Sequence, residues 1–314
     1  MCWIISRGAA EGGLPFPCLY LITHTKRGVE SMGNSHEYAR KHLASRVVVC
    51  GDTVEFYEYK NPIYIDFERQ RDVVKENLEG EKGKREDNLY RARKNVRQII
   101  WCNLTPHTKF LTLTYAETML DMKKFKRDFQ TFCQSMKRQG YPLRYLYVLE
   151  RQLKRGMKEG NEGTIHAHLV VFNDEKIPLK VIQKAWPHGR TEIHILKGLR
   201  WDRDGNGYRK GDKVRDVGAY VCKYITKEAA LEWGSKTYKC SLNLKRPIEE
   251  KFYAYDIGTP ERPDFVQSPD DAYDSFLSCV DVTYEAEKEI RYTMPNGEVI
   301  VNRVYYKQGK VRYD

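Results

Sequence analysis

No stretch of the 314-residue sequence approaches the roughly 18 consecutive apolar residues that a membrane-spanning helix needs, so no transmembrane helix is expected. A secretion signal is missing as well. The apolar run 14–22 is short, carries Pro15 and Pro17, and has neither a basic cluster before it nor a small-residue cleavage site after it. The eight cysteines are scattered, with no C-x-x-C pair, which excludes a zinc ribbon and a thioredoxin-like dithiol. With no export signal, the reduced cytoplasm is the expected compartment. There is no G-x-x-x-x-G-K-[ST] phosphate loop, because Gly80, Gly83 and Lys84 stand at the wrong spacing, and there is no internal repeat.

What is present begins with charge. Lys and Arg number 54 against 43 Asp and Glu, a net of +11, and hydrophobic residues at 41 % are enough for a packed core. The excess is uneven: residues 1–228 carry a net +14 and residues 229–314 a net −3. A basic body suits a polyanionic partner, most simply nucleic acid. It also suits a soluble protein whose surface happens to be basic.

Residues 1–31 read as a leader, and 1–87 as an N-terminal region with strands at 46–50 and 54–59 around a Gly51-Asp52 turn. From Asn88 the pattern turns helical: Leu89, Val96, Ile99 and Ile100 recur on one side, while Arg91, Arg93, Lys94 and Arg97 crowd the others. Those four cations are candidate DNA contacts, although a solvated helix face looks the same. Then come a strand at 109–115, a helix over 118–138 with the stripe Leu120, Phe125, Phe129, Phe132 and Met136, and strands at 143–150 and 164–172. A short helix at 178–186, a strand at 190–196 and a helix from Val214 to about Trp233 follow. Near the end, strands at 290–294 and 298–306 flank Pro295-Asn296-Gly297, a tight-turn sequence. The order predicts an α+β fold, with a central antiparallel sheet, helices packed on it and a β-containing C-terminal extension. It divides the chain into 1–87, 88–246 and 247–314.

Three features carry chemistry. His166 and His168 alternate in one strand, so both imidazoles face one side, a pairing that suits a divalent metal but also occurs with no ligand at all. Glu150 ends the preceding strand and reaches the same face if the two strands pair. A carboxylate and two imidazoles would leave open positions for a substrate. Tyr220 and Tyr224 lie four apart on a helix, each followed three residues later by a lysine, Lys223 and Lys227. A phenol with pKa ~10 is a weak nucleophile unless a cation or an activated phosphate helps it, and tyrosines at this spacing are commonly core packing.

Taken in order, the strand ending in Thr112-Leu113-Thr114-Tyr115, then Glu150, then His166-Ala167-His168, then Tyr220-x-x-Lys223-Tyr224-x-x-Lys227 resemble an HUH endonuclease. They look most like the rolling-circle replication initiators of bacterial plasmids and single-stranded DNA phages, over roughly residues 88–246. The resemblance implies Mg²⁺ or Mn²⁺ on His166, His168 and Glu150. It implies a tyrosine, Tyr224 or Tyr220, that attacks single-stranded or hairpin origin DNA to give a 5′-phosphotyrosine and a free 3′-OH. Lys223 and Lys227 would hold the phosphate. Host polymerase would extend the 3′-OH, and a host helicase would part the strands. Some relatives carry Glu where Tyr220 stands, which favours Tyr224 as the first nucleophile. The alternatives are a transposase or relaxase with the same chemistry, although relaxases usually place a third histidine where this chain has Glu150, and a basic DNA-binding protein with no catalysis.

Overall fold

The computed structural model describes residues 40–64, 78–152, 164–194, 214–227, 238–256, 265–267, 277–293 and 299–312. In chain order the elements are β1 (Arg40–Cys50), β2 (Thr53–Tyr64), α1 (Leu78–Asn103), β3 (Lys109–Leu113), α2 (Met122–Arg138), β4 (Tyr145–Gln152) and β5 (Thr164–Val171). They continue with α3 (Leu179–Ala185), β6 (Thr191–His194), α4 (Val214–Lys227), β7 (Lys239–Cys240), β8 (Ile248–Asp256), β9 (Phe265–Gln267), β10 (Val280–Thr293) and β11 (Val299–Val311). Two compact units result: 1–74 with 247–314, and 75–246. No described helix is long and apolar enough to cross a membrane.

The first unit is a six-stranded antiparallel sheet in the order β10-β11-β2-β1-β8-β9. Gly51, at φ 63, makes the tight turn between β1 and β2, where Cys50 pairs with Thr53. That positive φ is why glycine serves here. Val47, Val49, Val54, Phe56, Phe252, Val280 and Val311 form one buried cluster, so strands from the two ends of the chain share a core. The expected C-terminal hairpin is present and longer than its sequence signal, running from Thr293↔Val299 to Val280↔Val311. Its Pro295-Asn296-Gly297 turn lies outside the described residues, as do residues 1–31.

The second unit carries a five-stranded antiparallel sheet in the order β6-β3-β5-β4-β7. Period-two alternation sends Leu111, Leu113, Ala167, Leu169 and Tyr147 to one side, into a cluster with Phe125, Phe129, Phe132 and Met136 of α2 and Ile182 of α3. Phe110, Val170, Leu146 and Val148 point the other way, against Val96, Ile99 and Ile100 of α1 and Val221 and Ile225 of α4. This is the expected α+β arrangement, with helices on both faces of an antiparallel sheet. Asp121 caps α2 by accepting from the Lys123 and Lys124 amides at 2.7 and 3.1 Å. Gly140, at φ 88, follows the helix end. Helix α1 begins at Leu78, ten residues before the apolar periodicity shows itself, because its first turns are built of Glu, Lys and Arg, which are strong helix formers with no stripe to display.

Candidate functional site

The register of β3, β4 and β5 builds the centre of the site. Glu150 pairs with His166, and His168 pairs with Val148 on one side and Thr112 on the other. The four polar side chains therefore share the sheet face that α1 and α4 cover. His168 is buried; its Nε2 lies 2.8 Å from Glu150 Oε2 and its Nδ1 3.1 Å from Thr112 Oγ1. An ionised carboxylate only accepts, so Nε2–H donates to Glu150 and the neutral ring receives the Thr112 hydroxyl proton at Nδ1. His166 is half-buried, with its ring 6.5 Å from that of His168. Burial lowers the His166 pKa, against the opposing pull of Glu150 and Glu192, so its neutral, metal-binding form is favoured. Glu192 on β6 pairs with Thr112 and holds Arg190 at 3.0 Å. It belongs to this face too, and no local motif had singled it out.

Helix α4 lays its tyrosines on the same centre. The Tyr224 ring stacks on His168, with centroids 3.9 Å apart and planes 26° apart, and its hydroxyl donates to that of Tyr220 at 3.0 Å. Phe110 forms the floor, stacked 5.9 Å from Tyr224 and edge-on 5.0 Å from Tyr220. The helix can sit this low because Val221 and Ile225 are fully buried and because Gly218 leaves room for the stem of Arg97; a Cβ there would stand 3.0 Å from Arg97 Cγ. The Tyr224 phenol is pushed well above its ordinary range, first by burial, then by its hydrogen bond to Tyr220 and by the Glu150 charge. It is a neutral donor at physiological pH. Lys223 is exposed and holds its ammonium 5.4 Å above the Tyr220 ring. Lys227 ends α4, and its side chain lies outside the described residues.

Among the described residues, no three His, Cys, Asp or Glu side chains already surround a common point. Glu150 instead spends an oxygen on His168. The donor set nevertheless fits a divalent cation. Two imidazoles and a carboxylate share one sheet face, and Thr112 occupies the outer nitrogen of His168, as an outer-shell partner does for a metal-bound histidine.

The four basic residues of α1 divide. Arg91 is exposed, while Arg93, Lys94 and Arg97 are half-buried. The Arg97 guanidinium lies 5.1 Å from the Trp101 ring, and the Arg93 carbonyl accepts from the Cys222 thiol at 3.5 Å, so these two positions line the seam with α4. His188 stands elsewhere, on the side of the sheet that α2 covers. It is 3.8 Å from Asp128, which also accepts from Tyr115 and Lys124.

A buried histidine tied to a carboxylate on an antiparallel sheet, with two tyrosines on a helix above it, is an arrangement suited to work on phosphodiesters. Residues 108–229 match the family model of the replication-associated protein ORF2. The matched stretch opens at β3 and closes just past α4, and so contains every residue of the site. The match supports a part in replication initiation and the binding of origin DNA that goes with it, consistent with a rolling-circle initiator. No curated protein and no solved structure matches the chain.

Proposed function

We propose that the second unit nicks and rejoins single-stranded origin DNA through a phosphotyrosine, and so starts rolling-circle replication. The observation that carries this reading is the stacking of Tyr224 on His168, with Tyr220 hydrogen-bonded beside it. It puts two nucleophile candidates against the face that offers two imidazoles and a carboxylate together. His166, His168 and Glu150 would hold Mg²⁺ or Mn²⁺, which when bound polarises the scissile phosphate and offsets its developing charge. The Tyr224 oxygen attacks phosphorus; the O–P bond forms as the bond to the 3′ oxygen breaks, and the phenolic proton passes to the leaving 3′-OH. Tyr220 accepts the Tyr224 hydroxyl in the resting site and is placed to take the second transfer. Lys223 sits beside Tyr220, where its charge would meet a phosphate, and Lys227 follows one turn on. Arg91 and Lys94 are placed to meet the DNA backbone. Arg93 and Arg97 would add their charge from the α1–α4 seam. The freed 3′-OH suits extension by a host polymerase, and separation of the duplex falls to a host helicase.

The test is adduct formation on labelled single-stranded origin DNA with Mn²⁺, read on a denaturing protein gel. The wild type should give a shifted band, and Tyr224→Phe should remove most of it. The Tyr220→Phe, Tyr224→Phe double variant and His168→Ala should remove all of it. A band that survives in the double variant would place the nucleophile elsewhere. No band from the wild type on its cognate hairpin would favour a non-catalytic DNA-binding protein.

A further inference from the structure

Leu242 is 98 % exposed, far more than any other large apolar side chain in the described residues. It does not sit on a loose loop. Just before it, Ser241 donates its amide to the Tyr145 carbonyl at 2.9 Å and accepts the Tyr145 amide at its hydroxyl at 3.0 Å. Just after it, Leu244 is buried in the core under α1. The Lys245 amide donates to Asn103 Oδ1 at 2.9 Å, and Asn103 Nδ2 donates back to the Lys245 carbonyl at 2.9 Å. The turn is clamped at both ends, and its tip is held out in water at a cost in hydration that the fold does nothing to recover.

The surroundings are cationic. Lys239, Lys245 and Arg246 are all exposed, and residues 238–247 contain no acidic side chain. Neither lysine joins an ion pair among the described residues. The nearby Arg144 is half-buried and bonded to Asp174 at 2.9 Å, so it adds little net charge. A rigid apolar point between cations is the pattern of a side chain that enters a base stack while its neighbours take the flanking phosphates. Its place in the unit agrees. Ser241 bonds to Tyr145, and Glu150 lies five residues further along β4, roughly 17 Å away at strand spacing. At 3.4 Å per nucleotide that is about five nucleotides.

We propose that the 238–246 turn is a strand-parting wedge. Leu242 inserts between stacked base pairs of duplex DNA while Lys239, Lys245 and Arg246 hold the phosphates on either side. The duplex is thereby opened about five nucleotides from the His168–Glu150 centre. The inference rests on the reading of this unit as a protein of origin DNA, and it supplies what that reading leaves out, a local means of presenting one strand in a chain with no phosphate-binding loop.

The test uses the full chain and an origin duplex carrying 2-aminopurine, with EDTA present so that no cleavage step contributes. The wild type should raise the fluorescence on binding. Leu242→Ala should lose most of that rise, and Leu242→Met should keep it. Lys239→Ala and Lys245→Ala should each reduce the slope of log affinity against log salt by about one. An unchanged rise in Leu242→Ala overturns the wedge. So does a change in the sedimentation of the DNA-free protein in that variant, which would mean that Leu242 covers a second copy of the chain. A wild type that opens the duplex yet forms no phosphotyrosine would overturn the nuclease reading and leave the wedge standing.

Discussion

Thr112 decides which nitrogen of His168 is available. In the resting site Nε2–H is given to Glu150 and Nδ1 takes the Thr112 proton. To ligate a cation through Nε2, the ring must carry its proton on Nδ1, and a threonine hydroxyl can turn from donor to acceptor to receive it. Valine at 112 keeps the shape and removes that exchange. Thr112→Val should weaken Mn²⁺ binding, measured by calorimetry on the DNA-free protein, by about 10–100-fold, while Thr112→Ser restores most of it. Equal affinity in all three proteins would assign Thr112 to packing alone. The histidine pair, Glu150 and the two tyrosines were legible in the sequence because each follows a local period, two in a strand or four in a helix. Thr112 and Glu192 were not. The Thr112–His168 bond spans 56 residues, and only the strand register brings its ends together.

At the scale of elements, two positions show how tightly the second unit is built. Gly189 lies against the chain beyond β3, where an added Cβ would stand 2.4 Å from the Thr114 carbonyl and 2.6 Å from the Ala116 nitrogen. Both are backbone atoms in the ladder formed by the Thr114–Arg190 and Ala116–His188 bonds, and they cannot step aside. Gly189→Ala should cost about 1–3 kcal/mol and lower the thermal midpoint by roughly 2–10 °C. Between α2 and the sheet, burial pushes the Cys133 thiol up to about 11 and the Tyr147 phenol up to about 12. Groups whose neutral form the fold protects stabilise it fully below their unfolded pKa and cease to do so as pH rises through the folded value. Stability to denaturant should therefore hold to about pH 9 and fall between pH 9 and 11. In Cys133→Ala the fall should begin nearer pH 10, where the tyrosines take over. Helices were legible here wherever an apolar stripe ran. The early start of α1 was hidden because charged helix formers carry no periodicity.

Across the whole molecule, the first sheet is the part that local signals could not assemble. β1 lies between β2 and β8, and β2 pairs in turn with β11, so strands far apart in the chain are neighbours. A chain ending at Arg246 loses β8 to β11 and leaves β1 and β2 as a bare hairpin, which is marginal in water. Hydrogen exchange should show Val47–Cys50 unprotected in that truncation and Phe110–Leu113 still protected. Equal protection of both would mean that the hairpin stands alone.

The nesting also dictates an order of synthesis. A ribosome releases β1 and β2 first, yet their sheet partners are not made until the whole site-bearing unit has followed them out. At ordinary translation speed that interval is on the order of ten seconds or more, ample for the inner unit to complete its own fold. The site-bearing sheet is then already finished when the outer sheet first becomes able to close. A stalled or shortened message would leave behind a chain with an assembled site and a pair of unpaired valine-rich strands, the combination that chaperones and proteases are best equipped to intercept.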